Sequence, residues 1–123
     1  MNNRLWIRIA ALSSLISVAL GAFAAHGLEG VLSAQRMEVF QTAVKYQMFH
    51  SLALLAIINL QDDLLQPRWK ILSVRCLLLG IVLFCGSLYL LVMTNISALG
   101  MITPIGGTAF MIGWLFLFRA ARK

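Results

Sequence analysis

Four long apolar windows dominate this sequence, at approximately 9–27, 40–60, 71–93 and 98–118. A membrane-spanning helix needs roughly 20 mostly apolar residues, because the hydrocarbon core is about 30 Å thick and each residue rises about 1.5 Å. Within lipid every backbone N–H and C=O must find a partner inside the structure, so windows of this length should be helices. Short polar connections favour antiparallel neighbours. The sequence therefore predicts an all-α fold, an antiparallel four-helix membrane bundle that occupies 1–123 as one domain.

The composition argues against the soluble alternatives. Hydrophobic residues make up 61% of the chain and charged residues only 11%. A soluble domain normally carries about 45–50% apolar and about 25% charged residues. Too few polar side chains remain to cover a surface in water, which excludes an ordinary soluble enzyme, a disordered tail and a secreted disulfide scaffold. The lipid bilayer is the expected environment and the first expected partner.

The first window can also be interpreted as a secretory signal peptide. Residues 1–8 form a charged segment, 9–20 an apolar core, and 22–24 an A-x-A sequence of the kind that is cleaved. Cleavage would leave three helices. A retained helix is favoured by small residues at a spacing of four, because they lie on one face and let a second helix approach closely. These residues are Ser13, Ser17, Gly21 and Ala25.

Basic residues are unequally divided between the two ends of the predicted bundle. Both termini and the middle connection share one end, which carries Arg4, Arg8, Arg68, Lys70, Arg75, Arg119, Arg122 and Lys123. The other end has only Arg36 and Lys45. Since cytoplasmic loops retain Lys and Arg, both termini are expected to face the cytoplasm of a bacterial inner membrane. The net charge of +6 is then an orientation signal beside anionic headgroups, and nucleic acid is not an expected partner.

The second window holds unusual polar residues in two neighbouring groups. At about 100° per residue, they form a stripe of Glu38, Gln41, Thr42 and Lys45 and an adjacent arc of Tyr46, Gln47 and His50. In one interpretation they line a polar site in the outer half of the bundle, where Lys45 holds an anion or passes a proton with His50. In the other, Lys45 lies at the interface and His50 makes a structural hydrogen bond. The interfacial interpretation is favoured for Lys45, whereas both stay open for His50.

Two further residues complete the candidate polar site. His26 ends the first window beside Gly27. A helix C-terminus stabilises a nearby cation, so a capping role is favoured for His26 over ligand binding. Thr103 precedes Pro104 in the fourth window. The candidate set is Gln41, Lys45, Gln47, His50, His26 and Thr103.

The sequence predicts no metal, cofactor or catalytic centre. The two histidines lack the close Cys, Asp or Glu companions of a metal site. Cys76 and Cys85 are nine residues apart, so they point to opposite faces of one helix and are expected to fill apolar space. There is no phosphate loop, nucleophile elbow or paired intramembrane carboxylate. An enzyme is therefore not expected.

Proline and glycine cluster in the fourth window. A proline inside a helix removes a backbone hydrogen bond and bends the helix, and broken helices line substrate sites in many transporters. A kink with neighbouring glycines more often sets close helix packing, and this role is favoured here. We expect a role in close helix packing for Pro104, Gly106, Gly107 and Gly113 of the fourth window, for Gly86 of the third, and for the small-residue stripe of the first.

As a set, the motifs of these windows resemble a known family. They are Gly21-Ala22-Phe23-Ala24-Ala25-His26-Gly27, the run 41–54, Leu83-Phe84-Cys85-Gly86-Ser87-Leu88-Tyr89 and Thr103-Pro104-Ile105-Gly106-Gly107. Together they resemble the YgdD/YwdK-like family of small bacterial inner-membrane proteins, a family of unknown function with eukaryotic relatives. Ala24 and Cys85 replace a glycine and a serine that we associate with the family, both small for small. The resemblance implies a retained first helix and four spans, and it brings no activity, substrate or catalytic residue.

Two classes of function follow from these features. In the first, the chain is a non-enzymatic membrane-organising or interaction protein, whose polar residues satisfy one another at helix contacts and whose small-residue faces bind further copies. In the second, it is a small oligomeric transporter or channel, with a polar path along Lys45, His50 and the bend at Pro104. The sequence identifies no small-molecule ligand for either.

Overall fold

Residues 1–121 of the chain are described by a computed structural model, and every long element within them is helical. The elements in chain order are α1 Asn3–His26, α2 Ala34–Asn59, α3 Pro67–Gly80, a π-helical turn Ile81–Cys85, α4 Gly86–Thr94, a 3₁₀ turn Ser97–Met101 and α5 Thr103–Ala120. The π turn joins α3 and α4 into one rod, and the 3₁₀ turn leads directly into α5. Four long helical segments result, and the all-α prediction is confirmed. Arg122 and Lys123, counted above among the cytoplasmic basic residues, lie outside the described residues.

Three of the four segments are long and apolar enough to cross a membrane. They are Asn3–His26, Pro67–Thr94 and Ser97–Ala120. The second segment, α2, has 26 residues and thus sufficient length. It is not among the apolar candidates, because glutamine, lysine and histidine side chains in its middle lower its mean hydropathy. The expected count of four spans is therefore not confirmed by length and composition.

Local sequence signals account for the helix ends. The Ser33 hydroxyl accepts the backbone N–H of Arg36 at 3.2 Å and caps the start of α2. Asn95 adopts the left-handed conformation with φ of 57°, which asparagine tolerates better than most residues. Its backbone N–H bonds the carbonyl of Leu91 at 2.8 Å and closes α4. The chain then returns through the 3₁₀ turn as a tight antiparallel hairpin.

The helices pack as two pairs that meet at α2. α1 packs along α2, α3 packs along α5, and α2 also contacts α3, the π turn and α4. The start of α3 lies at the end of α5, because the Gln66 N–H bonds the Ala120 carbonyl at 2.8 Å and Leu65 forms an isolated antiparallel bridge with Ala121. Fully buried aliphatic side chains, Leu54, Val74 and Leu77 among them, fill the space between the pairs. Neighbouring segments are thus antiparallel, as predicted.

The main irregularity of the bundle lies in the third segment, and the prediction of a bend at Pro104 inside the fourth was wrong. Pro104 occupies the first turn of α5, where its missing N–H has no helical partner to lose and its fixed φ suits the helix. The backbone departs from α geometry instead at Ile81–Cys85. α5 crosses this π turn closely, since a Cβ on Gly106 would overlap the backbone of Phe84.

The glycines predicted to pack differ in how closely a neighbour approaches. A Cβ on Gly113 would lie 2.7 Å from Leu77 Cδ2, so α3 and α5 meet there in close contact. A Cβ on Gly107 would make only ordinary contact with the Phe84 ring, and one on Gly86 would meet nothing within 4 Å. Gly86 therefore does not mark a close helix approach, which corrects its predicted role.

The small-residue stripe of α1 was predicted with one wrong member. Ser17 is fully buried and Gly21 faces Val44 of α2, but Ala25 is exposed and Ala24 is buried in its place. A spacing of four drifts by about 40° per step on a helix of 3.6 residues per turn, so its last member leaves the contact face. The observed contact face follows a spacing of seven, and Ala10 begins it.

Candidate functional site

A buried hydrogen-bond network centred on Gln47 joins three helices. The Gln47 amide nitrogen donates to the Ser13 carbonyl of α1 at 3.0 Å, and the Tyr89 hydroxyl of α4 donates to Gln47 Oε1 at 2.6 Å. The Ser51 hydroxyl lies 2.7 Å from that of Ser13 and 2.6 Å from the Gln47 carbonyl. Gln47 and Ser51 are both buried, at 5% and 0% exposure. The network holds α1, α2 and α4 in register through neutral groups.

Every polar side-chain atom of Gln47 has a partner in this network. Amide groups satisfied across helices stabilise helix association in membranes, typically by about 0.6 kcal/mol and at most about 1.7 kcal/mol per bond. None of the network side chains, Ser13, Gln47, Ser51 and Tyr89, carries a charge at neutral pH. Chemically, the arrangement can fix helix positions, and it offers no unsatisfied group on Gln47 to a passing substrate.

His50 lies one turn beyond Gln47 and bonds a different helix. Its Nδ1 is 2.8 Å from the Tyr46 carbonyl, and its Nε2 accepts the indole N–H of Trp114 at 3.1 Å. A carbonyl can only accept and an indole N–H can only donate, so these contacts assign the proton to Nδ1 and describe a neutral imidazole. The ring also stacks on Phe110 with centroids 3.7 Å apart. His50 thus links α2 to α5.

A groove of about 600 Å³ opens beside this histidine, between α2 and α5. Aromatic side chains form most of its wall: the Tyr46 and Phe84 rings are 4.6 Å apart, and Phe84 and Phe110 are 5.5 Å apart. Met111 and Trp114 line its outer edge and are 67% and 45% exposed. We call this feature the lateral groove, and it lies within the roughly 300–1,000 Å³ range of ligand pockets.

The candidate polar residues do not form one site. Gln47 and His50 are buried, whereas Gln41, Lys45 and His26 are exposed. Lys45 makes no ion pair within residues 1–121, and it is not brought together with His50. The Thr103 hydroxyl lies 2.7 Å from that of Ser87, where it joins the third and fourth segments away from α2. Over the same residues, no cluster of three metal-ligating side chains occurs.

Sequence reasoning missed the aromatic partners of the buried residues. Tryptophan and tyrosine are common at membrane boundaries, and position along the chain alone assigns Trp114 to the cytoplasmic boundary and Tyr89 to the opposite one. Neither assignment considers that a buried amide or imidazole needs a partner on another helix. The signal that could have found them is the presence of tyrosine and tryptophan residues on other helices at about the same depth in the membrane as Gln47 and His50.

Fold and buried network together define a helical membrane protein. The family model described as "Protein of unknown function (DUF423)" matches residues 20–107. The chain belongs to this family, whose curated members are named UPF0382 membrane proteins. The expected resemblance is confirmed at the level of the family.

The relatives match over nearly their whole length. The UPF0382 membrane protein YwdK of Bacillus subtilis is 43% identical over 120 residues, which cover 98% of each chain. A UPF0382 membrane protein of Staphylococcus haemolyticus is 47% identical over 121 residues, covering 98% of this chain and 97% of the relative. The inner membrane protein YgdD of Escherichia coli is 39% identical over 122 residues, covering 98% and 92%. No solved structure matches the chain.

Proposed function

We propose that the chain is a non-enzymatic membrane-organising protein of the bacterial inner membrane, with four spans and both termini in the cytoplasm. In this proposal α2 crosses the membrane as well, in addition to the three segments that are apolar enough by themselves. Its buried polar side chains, Gln47 and His50, are satisfied by other helices, so their cost in lipid is largely removed. Lys45 is exposed and can extend its charge along the helix toward the interface.

The observation that carries the non-enzymatic role is the satisfaction of Gln47 within the bundle. A transport path needs polar groups that face a wet cavity and exchange partners with a substrate. Gln47 instead bonds α1 and α4 at 3.0 and 2.6 Å, which fixes the helices relative to one another. Polar residues in this arrangement stabilise the bundle. This supports a rigid scaffold that binds its partners through its outer surface.

The lateral groove is the proposed binding surface, and its occupant is the acyl chain of a membrane lipid. The groove lies between two membrane helices, and its wall is largely aromatic and apolar. The polar atoms of His50 at its floor are already bonded to Tyr46 and Trp114, so a polar substrate gains little there. A flexible hydrocarbon chain fills such a space without leaving any polar group unpaired.

A photoactivatable lipid tests this assignment. A zwitterionic phospholipid with a diazirine on its acyl chain is incorporated with the purified protein, irradiated, and its attachment sites are mapped. We expect attachment at Gly107 and Met111 to exceed that on the exposed α1 face at Leu15 and Val18. Gly107→Leu should fill the groove and abolish the excess, with Gly100→Leu as the matched control in open space. Equal attachment on both faces would contradict the proposal.

A transporter is the second candidate, favoured by the π turn beside the groove. Single π turns within α-helices occur frequently at functional sites, and Phe84 of this turn lines the groove. His50→Leu and Lys45→Leu separate the two functions in reconstituted vesicles. Transport through these residues predicts folded variants that lose solute or proton flux. The organising role predicts that the wild type and both variants show the same flux.

A further inference from the structure

Two arginines from different helices converge on one indole ring. Arg68 lies in the first turn of α3, and Arg119 lies near the end of α5. The guanidinium carbon of Arg68 is 5.5 Å from the centroid of Trp69, and that of Arg119 is 5.0 Å from the same centroid. The two cations are therefore separated by no more than the sum of these distances. We call Arg68, Trp69 and Arg119 the arginine–tryptophan cluster.

The fold holds this cluster in place from both sides. The Trp69 ring packs on Phe116 of α5 with centroids 5.3 Å apart. Just before α3, the Gln66 N–H bonds the Ala120 carbonyl at 2.8 Å, which ties the start of α3 to the end of α5. The two arginines are thus brought together by the backbone pairing of the third and fourth segments, and both side chains are exposed.

The positive charge of the cluster is not balanced by a carboxylate in the described chain. Within residues 1–121, neither Arg68 nor Arg119 takes part in an ion pair. The ion pair at this end of the bundle joins Lys70 Nζ to Asp62 Oδ1 at 2.9 Å, and Lys70 also bonds the Leu60 carbonyl at 2.7 Å. Lys70 is only 3% exposed, so this pair closes the loop between α2 and α3. Two unpaired like charges near one ring repel each other, and a bound anion removes that cost.

We propose that Arg68 and Arg119 bind the phosphate diester of an anionic phospholipid headgroup. Guanidinium groups match phosphate oxygens with two parallel hydrogen bonds, and an indole ring prefers the boundary between headgroups and hydrocarbon. Basic sites between helices at the cytoplasmic surface recognise anionic lipids in this way. Exposed apolar side chains close by in sequence, Phe118 and Leu64, offer contact to the lipid's apolar part. This site goes beyond the organising role and does not depend on what occupies the lateral groove.

Lipid retention by purified protein tests the proposal. The protein is reconstituted in nanodiscs with equal amounts of phosphatidylglycerol and phosphatidylcholine, and the lipids retained on release are quantified by native mass spectrometry. Arg68→Gln and Arg119→Gln should each lower the enrichment of phosphatidylglycerol about fivefold, because one cation near an anionic headgroup contributes about that factor. Arg4→Gln and Arg8→Gln near the start of α1, each made singly so that one charge is removed as at the cluster, form the charge-matched control, which should leave the enrichment unchanged. Circular dichroism verifies the helix content of each variant.

Three results would overturn the proposal. One is an enrichment that survives both single substitutions at Arg68 and Arg119. Another is an equal loss in the Arg4 and Arg8 control, which would reduce the effect to total charge. The last is displacement of the retained lipid by millimolar inorganic phosphate, which would assign the two arginines to a free anion. Retention of phosphatidylglycerol in the presence of inorganic phosphate supports the lipid as the source.

Discussion

The indole N–H of Trp114 donates to Nε2 of His50 at 3.1 Å and so joins α5 to α2. α2 and α5 otherwise leave the lateral groove between them, while α5 packs mainly on α3. The same imidazole uses its Nδ1 proton on the Tyr46 carbonyl and its face on Phe110. The neutral His50 side chain therefore lines the lateral groove in a fixed orientation and links the two helix pairs.

Removing the indole donor should therefore loosen the bundle. Trp114→Phe retains an aromatic ring but leaves the buried Nε2 of His50 without its donor, at a cost of about 1–3 kcal/mol. We expect a lower apparent Tm in detergent, measured by circular dichroism. Trp6→Phe is the matched control, because it shrinks a partly buried indole that makes no side-chain hydrogen bond within residues 1–121. An equal effect of both substitutions would remove the hydrogen bond from the explanation.

The Gln47–Tyr89 bond should appear as a coupling energy. Gln47→Leu and Tyr89→Phe each remove one side of a 2.6 Å contact between α2 and α4. In a double-mutant cycle of unfolding free energies we expect a coupling of about 0.6 kcal/mol, the average for hydrogen bonds between membrane helices. Additive single effects would mean that the bond contributes nothing to the stability of the bundle.

Two glycines of the same hairpin should respond oppositely to alanine. Gly106→Ala places a methyl group into the backbone of Phe84 and should destabilise the protein by about 1–3 kcal/mol. Gly86→Ala enters open space and should be neutral or stabilise by up to about 1 kcal/mol through reduced chain entropy. Thermal unfolding of the two variants side by side measures the contrast. Similar losses in both would show that backbone approach at the π turn does not control stability.

The sequence predicted the helices well because apolar length and turn chemistry are local signals. The cap at Ser33 and the turn at Asn95 follow from a few neighbouring residues. The bend was placed at Pro104 because the helix was predicted to begin near residue 98, and the observed start at Thr103 puts the proline in the first turn, where it does not bend the helix. The π turn at Ile81–Cys85 has no comparable local signal.

The candidate site was only partly predictable, for a related reason. Polar residues of one helix were assigned together because they lie near one another on its surface. Gln47 and His50 are buried by partners on other helices, Tyr89 and Trp114, whereas Lys45 faces outward. Which neighbour meets which face depends on tertiary packing, and a single sequence contains that information only indirectly.

Lys45 itself should be dispensable for folding. Its side chain is exposed and makes no ion pair within residues 1–121, so Lys45→Gln should change the free energy of unfolding by less than about 0.5 kcal/mol. The Gln47→Leu variant measured in the same detergent gives the contrast on the buried side of the helix. A loss at Lys45 as large as that at Gln47 would place the lysine inside the bundle's polar network.

The central claim is that α2 crosses the membrane despite its polar residues, and site-directed cysteine labelling measures this most directly. Cys76 and Cys85 are replaced by serine, and single cysteines are introduced at Asn3, Glu29, Gln61 and Asn95. An impermeant maleimide added to intact cells should label positions 29 and 95 and leave positions 3 and 61 unlabelled until the cells are opened. Labelling of positions 29 and 61 from the same side would show that α2 does not span, and would contradict the account.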